Sequence, residues 1–171
     1  MTGTRQRIVV GVDGSDGARA ALKWALTEAA HRGADVEVVT AFAFDFYWLD
    51  PYLMDRRRIN DIRSETKARA RALVEEAQQD LALAGLPGGA AVGIQILVVG
   101  GAPTAHLVQR SEGAALLVVG SRGRGAVRGL VLGSVSLYCA MHAAVPVLVV
   151  RPRPARASVV RPRSERTLAD R

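Results

Sequence analysis

The sequence holds one cysteine, Cys139, among its 171 residues. A lone cysteine excludes an internal disulfide and a cysteine-based structural zinc site. Residues 1–7 lack the apolar core of a signal peptide, and no apolar run approaches the roughly 20 residues that a membrane helix needs. These absences together predict a cytoplasmic protein that does not enter a membrane.

Lysine is also scarce, and two phosphate-binding motifs are missing. Lys23 and Lys67 are the only lysines, and neither follows a glycine, so the chain has no P-loop. The dinucleotide fingerprint Gly-x-Gly-x-x-Gly fails as well, because Arg128 stands where the third glycine is required after Gly123 and Gly125. A P-loop NTPase and a nicotinamide-dependent dehydrogenase are therefore excluded. We assign no catalytic residue, because no serine has a histidine nearby in a hydrolase arrangement.

The net charge of +7 is concentrated at the C-terminus. Residues 151–171 contain seven arginines against Glu165 and Asp170, a net charge of +5, which leaves +2 for residues 1–150. This distribution predicts a folded domain over 1–152 and a Pro/Arg-rich, disordered tail over 153–171. The alternative is that the tail contacts nucleic acid or an acidic partner.

Five apolar runs of strand type alternate with helical patterns along residues 7–150. The predicted strands span 7–12, 36–42, 91–99, 114–119 and 146–150. Helices are expected from a cap at Ser15 or Asp16 to Gly33, over 59–84, from Pro103, and over 134–143. An aromatic loop, 42–54, either packs in the core or covers a ligand.

This alternation predicts a single doubly wound α/β fold. The five strands would form a parallel sheet in the order 3-2-1-4-5 with helices on both faces, because parallel strands need crossover connections. Such sheets bind ligands beyond the carboxyl ends of the strands, where the strand order reverses. Here that point lies between strands one and four, at loops 12–15 and 120–123.

The second of these loops opens a glycine-rich segment, GSRGRGAVRGLVLGSVS, over 120–136. Glycine lets backbone amides approach an anion closely, and a helix that begins at Ser134 would direct free amides at a phosphate. Ser134 and Ser136 could donate hydroxyl hydrogen bonds, and three arginines could neutralise charge: Arg122, Arg124 and Arg128. The alternatives are a merely structural loop and, for Asp13, a helix cap instead of a nucleotide or metal contact.

The spacing Gly120-x2-Gly123-x9-Gly133-Ser134 is similar to the ATP-binding signature of universal stress proteins. The stretches 8–15 and 146–152 look like that family's first and last strands, so the resemblance covers about residues 5–152. It implies that Asp13 lies at the ribose or phosphate side, that Ala41 lines the adenine pocket, and that Val12 and Val119 flank the base. It further implies that the glycines and Ser134 hold ribose and phosphates, with Val135 following at the helix start.

The resulting hypothesis is an ATP-binding regulatory protein with Mg²⁺ near Asp13 and at most slow hydrolysis, since no general base or lysine is evident. An apolar last strand at a sheet edge predicts a homodimer through 146–150, as the resemblance also implies. One alternative is a weak ATPase, or a protein that phosphorylates itself on Ser121, Ser134 or Ser136. A second alternative is a nucleic-acid-associated protein that acts through the tail.

Overall fold

The computed structural model describes residues 5–42, 56–87, 92–125 and 132–152. The elements of this part of the chain are β1 (Arg7–Val12), α1 (Asp16–Arg32), β2 (Asp35–Phe42), α2 (Arg56–Leu83), β3 (Ile94–Gly100), α3 (Pro103–Ser111), β4 (Leu116–Gly120), α4 (Ser134–His142) and β5 (Val147–Val150). All neighbouring strands are parallel, in the order β3-β2-β1-β4-β5. The predicted doubly wound sheet and its strand order are confirmed.

Two hydrophobic cores lie on opposite faces of this sheet. Alternate residues of a strand point to opposite faces, so Ile8 and Val10 join the core under α1 and α2, whereas Val9 joins the core under α3 and α4. The central strands are buried on both faces, which explains why β1 and β4 have no polar residue between their ends.

Helix α1 begins and ends at residues whose chemistry favours those positions. The Ser15 hydroxyl accepts a hydrogen bond from the Ala18 N–H at 3.2 Å, which caps the first turn. Gly33 ends the helix in the left-handed conformation with φ of 61°, where a side chain would be strained. The cap at Ser15 sets where α1 starts relative to the end of β1.

The predicted boundaries differ from the observed ones by up to three residues. Helix α2 starts at Arg56 and not at 59. Strand β3 starts at Ile94 and not at 91. The later start of β3 is due to Gly93. Its N–H donates to the Asp35 carboxylate at 3.2 Å and its carbonyl accepts from Val36, so Gly93 is held in the loop before the regular hydrogen bonds between β2 and β3 begin.

No helix within the described ranges is long and apolar enough to cross a membrane. The cytoplasmic location stays a prediction. The aromatic loop and the Arg-rich tail lie outside the described residues, as do Arg128 and the first four residues.

Candidate functional site

A cavity of about 590 Å³ opens at the carboxyl ends of β1 and β4, where the strand order reverses. All eleven residues predicted for the site line it: Val12, Asp13, Ala41, Val119, Gly120, Arg122, Gly123, Gly133, Ser134, Val135 and Ser136. They come from four separate segments of the chain. The fold therefore brings the predicted residues together around one space of ligand size.

Part of the lining is apolar. Ala41 and Val39 of β2 contribute to it together with Val119 of β4 and Leu107 of α3. Next to Leu107 lies Gly11, where an added Cβ would come within 3.0 Å of the leucine side chain. This wall suits a flat apolar group such as a nucleobase.

The lining also includes residues that were not predicted for the site: Val39, Leu107, Gly11, Ala18, Gly101, Pro103 and Leu132. A signal for Val39 was present, because it lies two residues before Ala41 on the same face of β2. No signal indicated Leu107 or Pro103, since their place at the cavity depends on how α3 packs on the sheet.

The start of α4 supplies the donors of the cavity. Gly133 is the N-cap and offers no side chain, and the N–H groups of Ser134 and Val135 have no acceptor among the described residues. Unpaired amides and the positive end of the helix dipole favour an anion there. The Ser134 side chain is exposed and also has no described partner.

Ser136 is predicted to donate to a phosphate, and in this structure its hydroxyl donates to the protein backbone. It is buried, and its hydroxyl lies 2.9 Å from the Gly133 carbonyl oxygen and 3.2 Å from that of Ser121. The Gly133 N–H donates to the same Ser121 carbonyl at 2.7 Å. Ser136 therefore ties the start of α4 to the end of β4 and lines the cavity without a free donor.

Asp13 joins the two loops of the site. Its Oδ1 accepts from the Ser15 N–H at 3.0 Å, and its Oδ2 accepts from the Arg124 N–H at 2.9 Å. No group of three potential metal ligands occurs in the described part of the chain. Asp13 could hold a cation only together with oxygen atoms of a ligand, because it is the single carboxylate among the described lining residues.

Two arginines lie at the cavity without a carboxylate partner. Arg122 and Arg124 are exposed, and neither forms an ion pair with any residue that the structure describes. Guanidinium groups that no described carboxylate neutralises, next to amides without a described acceptor, give this end of the cavity a positive potential.

An open parallel sheet with a cavity at the reversal of its strand order defines a doubly wound α/β protein, a class whose members bind ligands at this switch point. The chain belongs to the universal stress protein family, whose sequence profile matches residues 4–151. The family resemblance drawn from the glycine spacing is thereby confirmed at the level of the family.

Curated relatives come from mycobacteria. A universal stress protein of Mycobacterium tuberculosis is 36% identical over 165 residues, which cover 90% of this chain and 51% of that protein. One from Mycolicibacterium smegmatis is 34% identical, covering 88% of this chain and 47% of that protein. The chain thus spans about half the length of these relatives.

Solved structures agree with the fold. A universal stress protein in complex with cAMP is 31% identical, with a TM-score of 0.54 over 88% of this chain and all of that one. UspA from Lactobacillus plantarum is 24% identical, with a TM-score of 0.68 over 87% of this chain and all of that one. A third, from Archaeoglobus fulgidus, was solved in complex with dAMP and is 22% identical, with a TM-score of 0.55 over 84% of this chain and 96% of that one.

Proposed function

We propose that this chain binds ATP in the switch-point cavity and acts as a nucleotide-responsive regulatory dimer. The observation that carries the proposal is the composition of the cavity: an apolar wall from β1, β2 and β4 and free amides at the start of α4 line the same space. A nucleotide needs both, because its base is apolar on its faces and its phosphates are anionic. The relative solved with cAMP supports an adenine nucleotide as the ligand.

The charges around the cavity favour a triphosphate over a monophosphate. A single phosphate can be satisfied by the amides of Ser134 and Val135 alone. Arg122 and Arg124 add two cations that no described carboxylate neutralises, so further phosphates gain charge-assisted hydrogen bonds. Mg²⁺ would enter with the phosphates, and Asp13 would be the protein carboxylate available to it.

Hydrolysis by this site would be slow. The titratable side chains among the described lining residues are Asp13, Arg122 and Arg124. Both carboxylate oxygens of Asp13 already accept backbone hydrogen bonds, which directs them away from activating a water. The geometry therefore favours binding and a conformational response over turnover.

The dimer would form through β5. This strand lies at the edge of the sheet and pairs only with β4 among the described strands, so one row of its backbone groups is open. Leu137 and Met141 of the preceding helix α4 are 49% and 70% exposed, which adds apolar surface beside that edge. A second copy would cover both features.

Isothermal titration calorimetry with ATP tests the proposal, with and without Mg²⁺, on the wild type and two glycine variants. In Gly133→Ala the new Cβ fits the fold, since its nearest neighbour lies at 3.5 Å, but it enters the phosphate end of the cavity. We expect its ATP affinity to fall about tenfold or more, the loss of one charge-assisted hydrogen bond.

Gly85→Ala is the matched control, because Gly85 follows α2 outside the cavity and a Cβ there meets nothing within 4 Å. It should bind ATP like the wild type. A wild type that binds no ATP at millimolar concentration would overturn the proposal.

A further inference from the structure

Gly17 stands in the first turn of α1, where glycine is a poor choice. Glycine in a helix costs about 1 kcal/mol relative to alanine. Gly17 is buried and does not line the cavity, but a Cβ at this position would come closer than 3.0 Å to the carbonyl oxygen of Arg122. Glycine lowers the helix propensity at this position, but it allows the loop after β4 to approach α1 closely.

Gly120 forms the other half of this crossing. A Cβ on Gly120 would lie 2.5 Å from the carbonyl carbon of Gly17 and 2.9 Å from the Ala18 nitrogen. The end of β4 and the first turn of α1 thus meet backbone to backbone. We name this contact, formed by Gly17, Gly120 and the Arg122 carbonyl, the glycine crossing.

The crossing determines the orientation of one peptide group. The Arg122 carbonyl faces the first turn of α1, where the Ser15 hydroxyl donates to it at 3.4 Å. In a planar trans peptide the N–H of the next residue points the opposite way. The Gly123 N–H therefore points away from α1, toward the side on which the start of α4 lies.

The Gly123 N–H has no acceptor in the part of the chain that the structure describes. The Cβ position of Gly133 lies 3.8 Å from the Gly123 nitrogen, which places this amide beside the anion-binding end of the cavity. The next amide, that of Arg124, is held by Asp13 at 2.9 Å. The segment from Arg122 to Arg124 is therefore held at the Arg122 carbonyl by Ser15 and at the Arg124 N–H by Asp13. Between these two contacts, the Gly123 N–H is left without a described acceptor.

We infer that Gly17 is a positioning residue for the cavity: it admits the Arg122 carbonyl against α1 and so directs the Gly123 N–H at an anionic group of the ligand. This inference rests on the proposed nucleotide binding. It assigns a role to a residue that touches neither the cavity nor the ligand. The role concerns only the phosphates, because the apolar wall is formed by side chains of β2, β4 and α3 and not by the peptide between Arg122 and Gly123.

The test compares ATP with adenosine, which shares the base and ribose but has no phosphate. In Gly17→Ala the Cβ displaces the Arg122 carbonyl and rotates the peptide. We expect ATP affinity to fall about tenfold or more, as for one lost charge-assisted hydrogen bond, and adenosine affinity to stay unchanged. Both are measured by NMR titration well below the unfolding temperature, with Gly85→Ala, outside the cavity, as the control.

An equal loss for ATP and adenosine would mean that Gly17 matters only for the fold, and unchanged ATP affinity would mean that the crossing does not orient a donor. Either result overturns the inference. A wild type that binds neither compound overturns the proposed function instead, and the two failures are thus distinguishable.

A second measurement covers a Gly17→Ala variant that does not fold. In the wild type, the Gly123 amide proton should shift downfield on addition of ATP and not on addition of adenosine, because only ATP brings an acceptor. The Gly85 amide, which donates to the Ala82 carbonyl outside the cavity, serves as the internal reference. A Gly123 signal that responds equally to both compounds contradicts the inference.

Discussion

The glycines around the cavity serve different physical purposes. A Cβ added at Gly120 would collide with the backbone of α1. A Cβ at Gly123 would lie 2.5 Å from the Asp13 carboxylate, whereas a Cβ at Gly133 would have no described atom within 3.4 Å. The first two residues are therefore needed by the fold itself. Gly133 leaves space that no described residue fills and that a ligand could use, which is why its substitution separates binding from stability.

Substituting Gly120 should destabilise the protein even without ligand. In Gly120→Ala the Cβ meets backbone atoms that cannot rotate away, so we expect the free energy of unfolding to fall by about 1–3 kcal/mol, as for other overpacked sites. Urea denaturation followed by circular dichroism measures this change. Gly125→Ala should stay within about 0.5 kcal/mol of the wild type. A Gly120→Ala protein of wild-type stability would contradict the close approach of β4 and α1.

Glu37 is a buried carboxylate whose charge is compensated by two arginines. Its side chain is 1% exposed, and it accepts from Arg110 at 2.6 and 2.7 Å and from Arg7 at 3.2 Å. The hydrogen bond to Glu37 raises the pKa of Arg110 above its ordinary value. This cluster joins α3 to β1 and β2.

Arg110→Met should cost about 1–3 kcal/mol of stability, because it leaves a buried carboxylate with only the Arg7 contact. The control is Arg69→Met, which removes an exposed i, i+4 pair with Glu65 and should change stability by less than about 0.5 kcal/mol. Thermal unfolding of the three proteins provides the comparison. Equal melting temperatures for Arg110→Met and the wild type would show that Arg110 does not stabilise Glu37.

Cys139 is fully buried in α4, and burial raises the pKa of its thiol from 9.0 to about 11. The folded state favours the protonated thiol. The stability that depends on this protonated form is therefore fully present below pH 9 and is lost as the pH rises through about 11. At pH 8 we expect the native protein to react very slowly with a chromogenic thiol reagent and the urea-unfolded protein to react fully. Rapid labelling of the native protein would contradict this burial.

At the scale of elements, the edge strand β5 presents one row of open backbone groups. The carbonyls of Pro146 and Val150 accept from β4, from Leu117 and Ser121 respectively. Because a strand alternates with period two, the amides of Val147 and Val149 face the open edge. These two amides are the ones that a partner strand would use.

Val149→Pro removes one outward amide without breaking the ladder between β4 and β5, since proline is tolerated at an edge position. If the dimer pairs β5 with its copy, this variant should sediment as a monomer in analytical ultracentrifugation. Val149→Ala loses the same side-chain packing but keeps the amide, so it should remain dimeric. A dimeric Val149→Pro protein would exclude pairing through this edge.

At the scale of the whole molecule, the basic tail carries most of the net charge. None of its residues is among the described residues that line the cavity. Deletion of residues 153–171 removes six arginines and two acidic residues. We expect ATP affinity and melting temperature to be unchanged, and any salt-sensitive binding to a DNA duplex to disappear. Weaker ATP binding by the shortened chain, measured by calorimetry, would place the tail at the cavity.

Most of the fold could be predicted because each element has a local signal. Apolar β-branched runs such as Ile8 to Val10 indicate buried strands, and Ser15 and Gly33 mark the ends of α1 through capping chemistry. The eleven predicted site residues follow from the resemblance and from the rule that ligands bind at the reversal of strand order. The boundary of β3 was predicted three residues early, because the Asp35 contact to Gly93 is a long-range interaction.

The sequence by itself determined the element order, the sheet type and the place of the cavity, since these depend on periodicity, capping residues and crossover rules that act locally. Only the tertiary structure decided what each cavity residue does. It turned the Ser136 hydroxyl toward the backbone, made Asp13 a link between two loops, and placed the Arg122 carbonyl against Gly17. The roles of Asp13 and of the Arg122 carbonyl depend on approaches between residues about a hundred positions apart, and no local pattern encodes such distances.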